Sequence, residues 1–171
     1  MVTSTEVRDS FLLGWVCRLG ACLFVNRKNP RQLPLEMAEI SAALKENLSV
    51  TFFPESTSSN GESVLPFRSA LFSIPQATET PILPVVLNYK AVNSVFDPES
   101  FKRNVFYFGD HNFFVQLWRV LNTRSIEIGM SFLPLECFPP VTNERVARQE
   151  RARQLHRRIS SLYKPLVPQK V

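Results

Sequence analysis

Three short apolar runs constrain this chain more than any other feature: "ACLFV" (21–25), "SVTFF" (49–53) and "PILPVVL" (81–87). Each has strand length, and the first is continuously apolar, as strands buried on both faces are. Between the first two lies Leu35–Asn47, where Met37, Ile40 and Leu44 recur at steps of three and four. That spacing predicts an amphipathic helix, with Pro34 near its first turn. Strand, helix, strand is the rhythm of a parallel βαβ unit. The predicted class is therefore α/β, a mixed, mostly parallel sheet flanked by helices.

The remaining segments extend this pattern. A short helix is expected over 9–19, and a loop running into a short helix over 62–73. Pro81–Tyr89 reads as the third strand, with its prolines crowded at the start, where they are tolerated. Asn104–Gly109 reads as a short strand and His111–Asn122 as a helix. "SIEIGMSF" (125–132) alternates, which predicts a half-exposed strand with Ile126, Ile128, Met130 and Phe132 on one face. A basic helix is expected from Thr142 to about Tyr163, with Ala152, Leu155, Ile159 and Leu162 at helical spacing.

At 171 residues and 44% hydrophobic, the chain has the size and composition of one globular domain, not of a disordered segment. No apolar run approaches the ~18 residues of a membrane span, and the polar start "MVTSTEVRDS" is not a signal peptide. The net charge of +5 points to an anionic partner. Much of the excess sits in "ERVARQERARQLHRR" (144–158), read either as an Arg-rich face suited to an anionic membrane surface or as a solvated helix partly self-paired through Glu144 and Arg148. Nucleic acid is disfavoured, because the many Phe sit in apolar runs and are not interleaved with Arg. Cys17, Cys22 and Cys137 match no zinc spacing; the first two lie in apolar company and read as buried, reduced thiols.

Loops at the carboxyl ends of neighbouring strands face one crevice in such folds. After the first run comes Asn26-Arg27-Lys28, and after the second Glu55-Ser56-Thr57-Ser58. A guanidinium on one rim and small hydroxyls on the other can cradle a phosphate, since Arg binds phosphate as a fork. The bland alternative is that Arg27 and Lys28 are solvated loop charges and Glu55 merely starts a turn.

The segments "GACLFVNRKN", "FFPESTSSNGESVLPFRSALF" and "TPILPVVL", in that order, resemble the second, third and fourth blocks of the glycerolipid acyltransferase family, the 1-acylglycerol-3-phosphate and lyso-lipid O-acyltransferases. The family's second block ends in an apolar strand with Arg, matched by Phe24-Val25-Asn26-Arg27. Its third block is Phe-Pro-Glu-Gly-Thr with a Phe-Lys-x-Gly segment downstream, matched by Phe53-Pro54-Glu55-Ser56-Thr57 and Phe67-Arg68-Ser69-Ala70. "FYFGDHNFFVQLWRVL" (106–121) looks like the stretch that follows the fourth block in bacterial members.

Two departures stand out. Ser56 and Ala70 occupy the places of family glycines, and a Ser at that turn is strained if the backbone needs positive φ. The family's catalytic dyad, His-x-x-x-x-Asp, is not in this chain: Gln116 lies five residues after His111, and Ser161 five after His156. In the dyad the His is the general base and the Asp orients it. His111, beside Asp110, is a weak substitute candidate.

The resemblance implies acyl transfer from acyl-CoA or acyl carrier protein to a lysophospholipid hydroxyl, with no resident cofactor or metal. It implies that Asn26, Arg27, Glu55, Ser56 and Thr57 hold the acceptor's phosphate or headgroup. It also implies a peripheral protein on the cytoplasmic face of a membrane. Residues 1–141 would form the C-terminal two thirds of an N-terminally incomplete acyltransferase domain, and 142–171 a basic C-terminal helix and tail. Such a chain is expected to be truncated and inactive by itself. The alternative is a non-catalytic lipid-surface or partner-binding remnant.

Overall fold

The computed structural model describes residues 2–4, 14–15, 17, 19–20, 22–25, 33–109, 111–138 and 143–167. The helix expected over 9–19 falls mostly outside them, as do Asn26 and Arg27.

Two strand pairs form. β1 (Val2–Ser4) and β2 (Leu23–Val25) pair in parallel, with Val2 opposite Leu23. β3 (Val85–Val92) and β4 (Ile126–Phe132) pair antiparallel, Val85 opposite Phe132, with a bulge between Tyr89 and Ala91. Among the described residues there is thus no mostly parallel sheet; the predicted sheet is replaced by one short parallel pair and one longer antiparallel pair. The predicted strand–helix–strand unit over 21–53 does not form: its first strand pairs in parallel with the unforeseen β1, and β4 returns alongside β3.

Ser49–Phe53 forms no ladder, against expectation. Its apolar residues answer to packing: Phe52 meets the Phe72 ring edge-on at 5.8 Å, and Val50 packs against Ile40 and Ile74. An apolar run reports burial, and burial does not require a strand partner.

Leu33–Lys45 forms α1, two residues earlier than expected. Ser69–Phe72 is a 3₁₀ turn running into α2 (Ser73–Ala77), so within the expected range of 62–73 the chain makes only the 3₁₀ turn and the α-helix follows it. Pro98–Asn104 forms α3, which starts on an Asp97 cap that accepts from Glu99 N and Ser100 N. The expected strand over 104–109 is instead the end of α3 and a loop, in which Phe106 is buried against Tyr89 and Phe101. α4 (Phe113–Leu121) begins at an Asn112 cap that accepts from Phe114 N and Val115 N. α5 (Glu144–Leu162) begins at an Asn143 cap.

β4 is a strand as predicted, but its expected inner face stays open: Ile128, Met130 and Phe132 are 44%, 57% and 64% exposed. Among the described residues it has a partner on one side only. Among the described residues three apolar clusters carry the core. Phe72, Phe138, Ala152 and Leu155 join α5 to the 3₁₀ turn; Val92, Phe101, Phe106 and Leu166 join β3 to the C-terminal segment; Ile40 and Ile74 join α1 to α2. Cys17 and Cys22 are only partly buried, and Cys137 is exposed; all three thiols are free.

Candidate functional site

The Pro54–Glu55 turn is built by its backbone. Ser56 N donates to Phe53 O at 3.1 Å, and Arg68 N donates to Pro54 O at 2.8 Å. The second bond folds residues 54–68 into a loop whose ends lie side by side. Glu55 closes the loop from within: Leu65 N donates to its Oε2 at 2.7 Å. Ser56 sits at φ +58°, in the left-handed region. That region penalises any side chain and suits glycine. The strain expected for a Ser in the family's glycine position is therefore present, held by the hydrogen bonds on either side.

α5 braces this loop. His156 Nε2 lies 3.1 Å from Val64 O, and its ring stands edge-on to Phe67 at 5.1 Å. Tyr163 OH donates to Gly61 O at 2.7 Å, and Leu166 N donates to the same carbonyl at 3.0 Å. Buried Asn88 on β3 fixes the end of α5, donating to Leu162 O at 3.0 Å and accepting from Lys164 N at 2.7 Å. Arg158 pairs with Glu136 on the segment after β4.

This packing sets the electrostatics. Burial pushes the Glu55 carboxyl above its ordinary value, opposed by the Leu65 N–H and the nearby His156. Burial, then Glu55, then Tyr89 push the Tyr163 phenol up to about 12, so it remains a neutral donor. A partly buried carboxylate that accepts a backbone N–H can orient a neighbouring donor or accept a proton. Among the described residues, no group of three or more His, Cys, Asp or Glu is placed to hold a metal ion.

The predicted residues divide accordingly. Glu55, Ser56 and Thr57 lie together on the turn, with Thr57 exposed. His111 belongs elsewhere: its ring lies 4.7 Å from Phe108 ahead of α4, and its Nδ1 is buried without a hydrogen-bond partner. No described contact joins it to the turn. The histidine whose charge reaches Glu55 is His156, and its partner in bracing the loop is Tyr163. Neither carries a sequence signal, because both lie about a hundred positions downstream of the loop they hold.

Comparisons with known proteins bear on the family. The acyltransferase family model matches residues 1–88, just over half the chain. The lyso-ornithine lipid O-acyltransferase of Rhodobacter capsulatus is 33% identical over 96 residues, which cover 53% of this chain and 34% of that protein. The Brucella abortus protein of the same name is 26% identical over 168 residues, 94% of this chain and 61% of that one. The 1-acyl-sn-glycerol-3-phosphate acyltransferase of Neisseria gonorrhoeae is 24% identical over 132 residues, 77% of this chain and 49% of that one. The chain thus spans between about a third and about three fifths of these relatives' lengths. No solved structure gives a significant match. With the family match running through the Phe53–Thr57 turn and its strained Ser56, the chain belongs to the glycerolipid acyltransferase family.

Proposed function

We propose that the protein serves acyl transfer from acyl-CoA or acyl carrier protein to the hydroxyl of a lysophospholipid or similar lyso-lipid. The observation that carries this is the braced turn at Glu55, where a non-glycine residue is held in the conformation its family fills with glycine. In this reading Asn26, Arg27 and the Glu55-Ser56-Thr57 turn hold the acceptor headgroup, and β1–β2 belongs to a mostly parallel sheet. The general base is the His of a His-x-x-x-x-Asp pair. Since no His in these 171 residues stands five places before an Asp, the chain alone is expected to be inactive. Loss of the base removes ~10²–10⁴-fold of rate.

The lipid surface enters through α4 and β4. Phe114, Trp118 and Leu121 fall on one face of α4 and are largely exposed, as are Met130 and Phe132 on β4. α4 carries no acid and has Arg119 in its last turn, the composition of a helix that rests in a lipid interface. α5 is less suited to insertion, because its apolar residues Ala152 and Leu155 are already used in the core. Among the described residues no helix is long and apolar enough to cross a membrane.

Complementation tests the reading. This chain, and the same chain extended upstream in frame, are expressed in a strain with a conditional lyso-lipid acyltransferase defect. Rescue by the extended form alone is expected. Rescue by the short chain would overturn the missing-base argument, and rescue by neither would favour a non-catalytic remnant at the lipid surface.

A further inference from the structure

A groove of about 450 Å³ lies between the loop at Pro66–Ser69 and α5. Phe67 and Ala152 give it an apolar lining, and Arg153 and Arg157 stand at its edge with Ser69 and His156. The two arginines are four residues apart on α5, so they share one helix face. Both lean on a single carboxylate: Arg157 Nη2 is 3.3 Å from Glu150 Oε1, and Arg153 Nη1 is 3.9 Å from Glu150 Oε2. Two guanidiniums against one carboxylate leave a net positive charge at the mouth of an apolar slot. Both side chains are largely exposed, so neither is committed to the core.

We propose that this groove binds a phosphate-bearing amphiphile, with Arg153 and Arg157 as a pair of forks on the phosphate and Glu150 as the internal anion that the ligand displaces. The assignment rests on the acyl-transfer reading for the kind of amphiphile, and on the groove for its location. One wall is the segment after the Phe53–Thr57 turn; the other is α5, which lies beyond the residues that the family model matches. His156 links the two, lining the groove while its Nε2 meets Val64 O in the loop that Glu55 closes. Arginine suits the role because its planar donors match phosphate oxygens two at a time. The apolar lining accepts the non-phosphate part of the same molecule.

Two sources share this chemistry, the coenzyme of an acyl donor and a lysophospholipid. Calorimetric titration of the full chain with coenzyme A, with a short-chain lysophosphatidic acid below its micelle concentration, and with inorganic phosphate separates them. Saturable binding of one of the first two is expected, weakening as salt rises. Arg153→Gln with Arg157→Gln should weaken it about tenfold or more, as loss of charged hydrogen bonds does. Glu150→Gln should tighten it several-fold by releasing both arginines. Far-UV circular dichroism checks that each variant is folded.

Equal affinity in parent and double variant overturns the groove assignment, as does weaker binding by Glu150→Gln. Binding of inorganic phosphate alone, with neither amphiphile, also overturns it. The acyl-transfer reading is judged separately, by the complementation assay. Rescue by an extended form that carries Arg153→Gln and Arg157→Gln, with unchanged KM for donor and acceptor, removes the groove and leaves that reading intact.

Discussion

Gly61 is the position where one added methyl group should do the most damage. Its φ is +78°, and its carbonyl accepts from both Leu166 N and Tyr163 OH, so the backbone is pinned in the left-handed region. A Cβ there would overlap Phe106 Cε2 and lie 3.1 Å from Leu166 Cδ1. Neither neighbour can retreat: Phe106 is 8% and Leu166 1% exposed, and both pack in one cluster with Phe101 and Val92. Gly61→Ala therefore carries two penalties, roughly 1–2 kcal/mol for an L residue at positive φ and roughly 1–3 kcal/mol for overpacking a closed core.

Gly109 supplies the control. Its φ is +60°, but a Cβ there meets nothing within 4 Å. Gly109→Ala should show the backbone penalty alone. Both substitutions reduce the freedom of the unfolded chain equally, so that effect cancels in the comparison. The expected losses are about 3 kcal/mol at Gly61 and about 1 kcal/mol at Gly109. For a chain of this size these correspond to falls in Tm of roughly 6–12 °C and 2–4 °C. Urea unfolding of the two variants and the parent, read by circular dichroism, measures both differences. Equal losses at the two positions would refute the claim that the C-terminal segment closes tightly over the Gly61 loop.

Tyr163→Phe removes one of the two donors to Gly61 O and should lose about 0.5–1.5 kcal/mol. Because the folded phenol is raised from 10.0 to about 12, its contribution is complete below the lower value and is lost as pH rises through the higher one; the variant's alkaline unfolding should be correspondingly less steep. Glu55 is likewise raised by burial, so its contribution is present below the ordinary carboxylate range and is lost as pH rises. Glu55→Gln should gain stability relative to the parent as pH rises above the ordinary carboxylate range, and a pH-independent difference in urea midpoints would contradict the burial. Ser56→Val should lose roughly 1–2 kcal/mol, because a branched side chain fits poorly at φ +58°, whereas Ser56→Gly should fold at least as readily as the parent; the order is reversed if the turn is not left-handed.

The local vocabulary of the chain was legible in its residues. Spacing gave α1, α4 and α5 to within about two residues, because helix periodicity is a property of neighbours in sequence. The strain at Ser56 was legible only through the family resemblance, which sets a glycine at that place; the residues by themselves marked no more than a turn after Pro54. What the residues could not state was who stands opposite. "SVTFF" carries the same apolar signal whether a strand or the Phe72 ring covers it, and only the tertiary structure decided for the ring. "SIEIGMSF" marks a strand, but alternation does not say that its apolar face will be covered, and here Met130 and Phe132 stay exposed. His156 and Tyr163 brace the Glu55 loop from about a hundred residues away, across contacts that no local pattern encodes. Sequence determined the three longer helices and the two strands of the antiparallel pair, since these follow from periodicity; the fold alone decided whether 49–53 and 104–109 became strands and which distant side chains surround the Glu55 turn, because burial and charge depend on neighbours brought together only by packing.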